Sequence, residues 1–376
     1  MRKEKSIALV VNAARTIGNF RGPLIRSLVQ RSLTTHVLAP DYTDEVRVAV
    51  REMGAVPHDY RLDQHGTSVA GELAACVSLY RKLRELKPDA VLAFQLKAMA
   101  YSGLAGRLAG TTKRYGIVEG LGSYFTDSDA RQTSKQRMVR RMATLALKQS
   151  IHEMSAVFTL NSYDSSFVRS LNSRINRVIE LEGIGLDLQE WPFRPPVQRP
   201  LVFLFIGKFI GPKGISEFVK AAHSISQERD DVKFVALGRL DHNVAALNSE
   251  TVRDWKHAGI VEFPGHVDVK PWLEKSSVFV LPSYYREGKP RSTQEAMALG
   301  RPVITTDFPG CRETVIEGVN GFLVPPRDAR ALAAAMTRYI EQPSLIASMG
   351  AESRRLAEER YDVHKVNKII LDAMGL

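Results

Sequence analysis

Glu287 and Glu295 bracket the run EGKPRSTQE, which follows the apolar segment VFVLPSYY (Val278 to Tyr285). The β-branched and aromatic residues of that segment predict a buried strand closed by Pro282 and Ser283, and an amphipathic helix is expected from about Ser292. Glu287 then lies in the loop at the carboxyl end of a strand and Glu295 in the first turn of a helix, on the edge where open α/β sheets bind ligands. Gly288 lets backbone N–H groups approach a ligand closely, and the helix N-terminus puts partial positive charge where a phosphate can sit. Lys289, Pro290, Arg291 and Ser292 line the same stretch. One carboxylate can accept hydrogen bonds from the hydroxyls of a sugar, while the other, a helical turn deeper, can hold a ribose diol with two oxygens. Two glutamates at this spacing also occur on solvated helix faces, so the pair alone decides nothing. Together with the strand, loop and helix it reads as a sugar-nucleotide site.

The surroundings carry more weight. Residues 278 to 326 run strand, EGKPRSTQEAMALG, RPVITTDFPGCRETV and EGVNGFLVPP, a series that closely resembles the donor-binding half of the retaining family-4 glycosyltransferases. The resemblance extends over nearly the whole chain, is most specific from Leu201 to Pro326, and points to the bacterial branch that adds hexose or hexosamine units to lipid-linked saccharides. It implies the GT-B fold, a UDP-sugar donor and a polyprenyl-diphosphate-linked saccharide acceptor. By motif match, Glu287 would contact the donor sugar and Glu295 the ribose. The implied chemistry is front-face, with no covalent nucleophile and no cofactor or metal.

After an expected strand at Leu201–Ile206 comes IGKFIGPKGI, where Lys208 and Lys213 flank a loop containing Gly207, Gly211 and Gly214. Two ammonium groups here can converge on a diphosphate; two solvated loop lysines are the ordinary explanation. The resembled family has an arginine and then a lysine at this place, so Lys213 matches and Lys208 departs, keeping the charge but losing the bidentate fork. Arg239 in VALGRLDHN and His266 and Val267 in FPGHV end two further strands. In the family such loops wall the nucleobase pocket through main-chain groups; His266 is equally explained as an exposed loop histidine.

In the first half, GIVEGLGSYFTDSD places Glu119 where many relatives have a histidine near the reaction centre. A glutamate there could accept hydroxyl hydrogen bonds or act as a base toward the acceptor, and it could equally cap the glycine loop. Asp127 and Asp129 mimic a DxD metal motif but stand in the acceptor half without further ligands, so no metal site is expected. Gly18, Asn19 and Arg21 lie in a stretch expected to join the first strand to its helix; in the resembled family that loop faces the diphosphate and acceptor across the cleft, with helix capping by Asn19 as the plainer account. From Arg131 to Lys148 there are six basic residues and no acidic one. Arg137, Arg140, Arg141 and Lys148 share one side of the expected helix, with Met138, Met142 and Leu145 opposite or adjacent. This is either a solvated basic face on a core-packed helix or a surface lying on anionic membrane.

These residues need a scaffold, and the rest of the chain predicts it. Short apolar runs alternate with amphipathic ones from end to end, arguing parallel sheets with crossover helices. The 376 residues suit two domains. The run RPPVQRP, Arg194 to Pro200, can be neither helix nor central strand and marks the expected boundary. The expected fold is α/β, two doubly wound Rossmann-like domains facing across a cleft, 1–195 and 196–360. The resemblance implies that the first takes the acceptor and the second the nucleotide sugar, and that a last helix within 361–376 packs back on the first, a crossing that the residues themselves do not show. The fingerprint GxGxxG is absent after the first strand, against a nicotinamide or flavin enzyme. Cys76 and Cys311 fall in different domains and fit a reducing compartment without zinc. No apolar run approaches the ~20 residues of a membrane span, so a cytoplasmic protein, peripheral at the inner membrane face, is expected. Residues 1 to 150 hold 24 Lys and Arg against 13 Asp and Glu, whereas the remainder holds 28 of each. With no nucleic-acid-binding motif present, anionic headgroups or a diphosphate-linked lipid are the expected partners of that basic half, and nucleic acid is not. The sequence-based reading is a retaining transferase from a UDP-sugar to a lipid-linked saccharide. A non-catalytic sugar-nucleotide or glycan-binding protein, or a nucleotide-sugar epimerase on the same fold, is the alternative.

Overall fold

The structure is a computed structural model and describes residues 5–63, 68–122, 125, 134–172, 175, 177–240 and 247–376. Asp127, Asp129 and Arg131 lie outside the described residues, as does the stretch 241–246 of the VALGRLDHN loop.

The chain divides into two units. The first is built from β1 (Ser6–Val10), α1 (Thr16–Gln30), β2 (Thr34–Ala39), α2 (Asp44–Glu52), β3 (Val56–Asp59), α3 (Val69–Leu86), β4 (Ala90–Phe94), α4 (Leu96–Leu108), β5 (Lys113–Val118), α5 (Ser134–His152), β6 (Ala156–Thr159), α6 (Ser162–Leu171) and β7 (Val178–Glu180). The second contains β8 (Leu201–Ile206), α7 (Ile215–Ser226), β9 (Val232–Leu237), α8 (Ser249–Ala258), β10 (Val261–Gly265), α9 (Lys270–Glu274), β11 (Val278–Leu281), α10 (Arg291–Ala298), β12 (Val303–Thr306), β13 (Gly321–Val324), α11 (Ala329–Glu341) and α12 (Ser344–Arg360). A last helix, α13 (Val363–Met374), belongs to the first unit.

Among the described residues the sheet orders are β3-β2-β1-β4-β5-β6-β7 and β10-β9-β8-β11-β12-β13, each wholly parallel. Both are doubly wound, and both reverse direction beside their first strand, between β1 and β4 and between β8 and β11. Open α/β sheets bind ligands at such switch points, outside the carboxyl ends of the strands. The strands are covered on both faces, so they read as continuous apolar runs; every residue of β4, β11 and β12 is buried. Helix entries are fixed locally: Asn161 accepts from the Asp164 N–H at 2.8 Å and Asp328 from the Ala331 N–H at 2.9 Å.

The chain changes units between Gly185 and Leu186, ahead of the Arg194–Pro200 run. That run is fastened to the second unit. Fully buried Arg301 donates to the carbonyls of Arg194, Ser276 and Leu299, the Val197 N–H donates to the Ser276 carbonyl, and Trp191 packs on the second core. A proline-rich stretch is thus not a free linker when its Arg194 carbonyl meets a buried guanidinium and its Val197 N–H a carbonyl of the second unit.

One local expectation is corrected. The stretch Gly18–Pro23 is helix rather than connecting loop, because α1 already starts at Thr16 and the turn is made by residues 12–15. Pro23 sits inside the helix, where its fixed φ is compatible and one intrahelical bond, to the Asn19 carbonyl, is forgone. Asn19 is exposed and caps nothing; Arg15 occupies the cap position without a side-chain bond.

Candidate functional site

Along the carboxyl edge of the second sheet, each expected donor residue takes a place set by strand order. Beyond β10 stand exposed His266 and Val267; beyond β9, Gly238 and exposed Arg239; beyond β8, Gly207, exposed Lys208 and half-buried Lys213; beyond β11, the loop from Pro282 to Pro290. Backbone bonds stitch the first three ends together: Gly238 N–H to Gly265 O at 2.9 Å, Gly207 N–H to Leu237 O at 3.0 Å and Phe209 N–H to Arg239 O at 2.9 Å.

The chemistry concentrates at the switch point. Lys213 Nζ lies 2.7 Å from Glu287 Oε2, the Ser283 hydroxyl donates to Glu287 Oε1 at 2.8 Å, and the Lys213 ammonium lies 5.7 Å from the centre of the Tyr285 ring. Lys213 is delivered by a short 3-10 turn, Gly211–Lys213, whose Gly214 adopts φ 78°. A Cβ at Gly214 would collide with the Pro282 carbonyl, so glycine allows the two loops to meet. A Cβ at Gly310, φ 89°, would collide with the carbonyls of Glu287 and Gly288, so glycine lets this segment close on the loop, while its N–H donates to Glu313 Oε2 at 2.7 Å. Buried Cys311 is next in line, its thiol pushed up to about 12 by burial and by the Glu287 charge.

Helix α10 begins at Arg291 behind buried Lys289 and Pro290, with no side-chain cap on its first turn. Ser292 Oγ donates to the Ile206 carbonyl at 3.4 Å, docking that turn on the end of β8. Glu295 pairs with Arg291 at 2.8 Å. Burial raises the Glu295 carboxyl above its ordinary value despite the attraction of Arg291, which opposes the shift. The cluster therefore offers an ammonium, a helix start with positive dipole and two carboxylates, one in the loop after β11 and one on α10: a site suited to a phosphorylated polyol.

In the first unit the edge beyond β1, β4 and β5 carries a second constellation. Glu119 and Arg21, expected in separate roles, form one ion pair: Arg21 Nη2 is 2.5 Å from Oε1 and 2.6 Å from Oε2. Arg21 is buried, with its guanidinium 4.2 Å from the centre of the Phe94 ring. Arg21 Nε and Glu119 Oε1 keep hydrogen-bonding capacity unused among the described residues. Gly18 and Asn19 are exposed on the helix one turn away and join neither group. On α5, Arg137, Arg141 and Lys148 are exposed and Arg140 is half-buried. Met138, Met142 and Leu145 are 57%, 42% and 66% exposed, so the stripe is not the core-packed side of this helix; Leu147 and Ile151 are.

Ser283, Tyr285, Gly310, Asn12 and Gln95 were not singled out from sequence. Ser283 looked like strand-end punctuation, and the contacts of Gly310 join segments distant in sequence. Among the described residues no group of three or more His, Cys, Asp or Glu side chains converges, and no helix is long and apolar enough to cross a membrane.

Residues 200–342 match the family "Glycosyl transferases group 1". The chain is a glycosyltransferase. It is 26% identical over 354 residues, 90% of either chain, to a Campylobacter jejuni N,N'-diacetylbacillosaminyl-diphospho-undecaprenol alpha-1,3-N-acetylgalactosaminyltransferase. A capsular polysaccharide biosynthesis glycosyltransferase of Staphylococcus aureus is 29% identical over 54% of either chain. Among solved structures, Anabaena HepE in complex with UDP superposes with a TM-score of 0.74 at 17% identity, over 98% of this chain and 99% of that one. Sucrose-phosphate synthase of Thermosynechococcus elongatus does so with a TM-score of 0.78 at 17% identity, over 98% of either chain. The two Rossmann-like units thus have the GT-B fold expected from the sequence, and the transferase reading holds over the binding-protein and epimerase alternatives.

Proposed function

We propose that this glycosyltransferase moves a hexose or N-acetylhexosamine, with retention, from a UDP-sugar to a hydroxyl of a polyprenyl-diphosphate-linked saccharide in bacterial surface-glycan assembly. The observation that carries the reading is the Glu287–Lys213–Ser283 cluster beside the N-terminus of α10. In it a sugar-binding carboxylate is held next to the positive charge that a leaving diphosphate requires. The acceptor oxygen bonds to C1 from the face that UDP leaves, the C1–O bond to the diphosphate breaks, the acceptor's hydroxyl proton passes to the departing diphosphate oxygen on that same face, and Lys208, Lys213 and the α10 N-terminus take up the charge that develops on UDP. Glu287 orients the sugar and Glu295 holds the ribose. Loops at Arg239, His266 and Val267 receive the base, and turnover persists in chelator.

The UDP complexes of Anabaena HepE and the diphospho-undecaprenol substrate in the name of the Campylobacter relative support this choice of donor and acceptor. Helix α5 supports a membrane surface: an exposed Met138–Met142–Leu145 stripe flanked by Arg137, Arg141 and Lys148 is suited to lie in an anionic interface. The deciding experiment is nucleotide release from a panel of UDP-, GDP- and ADP-sugars with a membrane extract as acceptor, wild type beside Glu287→Ala. UDP release that needs the extract and disappears in the variant supports the reading; release from GDP- or ADP-sugars alone refutes the donor. Vesicle flotation tests the surface: binding that needs anionic lipid and is lost in M138S/M142S/L145S supports it, and unchanged flotation removes it.

A further inference from the structure

Gln95 stands at the carboxyl end of β4, at the switch point of the first sheet, with φ 69° and ψ 151°. This is a conformation left almost entirely to glycine. It is held on both sides, for the Gln95 N–H donates to the Ile117 carbonyl at 3.0 Å and its carbonyl accepts from the Met99 N–H at 3.0 Å. The residue occupies the cap position of α4, yet its side chain does not cap the helix. That task falls to Asn12, beyond β1, whose Oδ1 accepts from the Ala98 N–H at 2.8 Å. The Gln95 amide makes no hydrogen bond to the described residues and is half-exposed. On the adjoining strand, with Phe94 in register with Ile117, the next residue past β5 is Glu119, held by Arg21. Two neighbouring strand ends therefore carry an amide and a carboxylate on one ligand-binding edge, and the amide is kept there by a backbone conformation that glycine would adopt more readily.

We propose that Gln95 is an acceptor-contact residue. Its amide donates to one hydroxyl of the acceptor saccharide and accepts from another, and the neighbouring Glu119 accepts from a hydroxyl on the same sugar. Built on the assignment of the acceptor to the first unit, this adds the residue and the type of group it reads. A glutamine side chain at this position restricts the acceptor to sugars with paired hydroxyls within its reach and leaves donor binding untouched.

Gln95→Gly removes the amide and relaxes the backbone together. The expected result is a Tm equal to wild type or higher by up to about 4 °C. Unchanged UDP affinity by calorimetry and unchanged donor hydrolysis without acceptor are expected too, with KM for the lipid-linked acceptor raised about tenfold or more, the loss of one to two hydrogen bonds. An acceptor KM within twofold of wild type overturns the proposal. So does a lowered Tm, which would make the side chain a structural one, or a loss of UDP affinity, which would move its role to the donor. If wild type hydrolyses donor but never saturates with a lipid-linked saccharide, the acceptor reading itself fails, and the proposal with it.

Discussion

At the residue scale, the second unit places Glu287, Lys213 and Ser283 so that each depends on the others. Lys213 is paired with the Glu287 carboxylate, and on the proposed reading the donor's diphosphate brings further negative charge to the same ammonium. Lys213→Met should therefore lower kcat about 10²–10³-fold, the range found when one charge-stabilising donor is removed. Glu287→Gln should cost a similar factor, and the double variant scarcely more than the worse single one, because the two groups act as a unit. Rates of UDP release across that cycle check it; multiplicative losses would mean independent roles. Ser283→Ala, which removes one hydrogen bond to a charged group, should cost about 1.5–3 kcal/mol in kcat/KM. Glu295 gives a pH signature. Burial has raised its carboxyl, so on acidification it takes up a proton above the ordinary carboxylate range, and a protonated carboxyl holds a ribose diol less well. UDP affinity should fall as pH drops through that raised value and recover above it. The limb should be missing in Glu295→Gln, and a wild type whose UDP affinity does not fall on acidification would count against ribose binding.

At the element scale, what sequence disclosed and what it hid follow from the range of the interactions. The strands were legible because a sheet covered on both faces writes unbroken apolar runs, as in VFVL of β11 and VITT of β12. The α10 start was legible to within a residue because an amphipathic run opens there, at Arg291 against the expected Ser292. The α1 start was not, since Gly18 and Pro23 both read as loop residues, yet a Cβ at Gly18 would meet nothing within 4 Å and the proline is absorbed within the helix. The Arg21–Glu119 pair was hidden for a different reason: it spans 98 residues, and no local pattern announces which charges a topology will bring together. The brace of Gly310 on the Glu287 loop is likewise long-range. Gly310→Ala must displace the Glu287 and Gly288 carbonyls as well as meet the left-handed penalty of about 1–2 kcal/mol. UDP affinity by calorimetry should fall at least tenfold. Gly259→Ala is the control, with φ 68° and open space for a Cβ. It should show the penalty in Tm and none in affinity, and equal affinities for the two variants would remove the brace.

At the scale of the whole molecule, the chain order does not match the order of the units. The second unit ends at Asp362, and α13 completes the core of the first, where Val366, Ile370, Leu371 and Met374 are buried with residues of β1, β4 and β5. Their periodicity announces an amphipathic helix, but sequence carries no statement of which core it serves. Their number sets the consequence. Burying four such side chains stabilises by about 6–12 kcal/mol as an upper figure, comparable to the roughly 5–15 kcal/mol that holds a typical domain together. A chain ending at Asp362 should therefore lose the first unit and keep the second, whose core includes no residue beyond Tyr361. Calorimetry of the truncated chain should show one transition where the full chain shows the unfolding of both units, together with UDP affinity near that of wild type and no transfer to acceptor. Loss of UDP binding on truncation would show that the donor half needs the first unit in order to fold. Retained transfer would show that α13 is dispensable to the first core, and that its buried face contributes far less than its area implies.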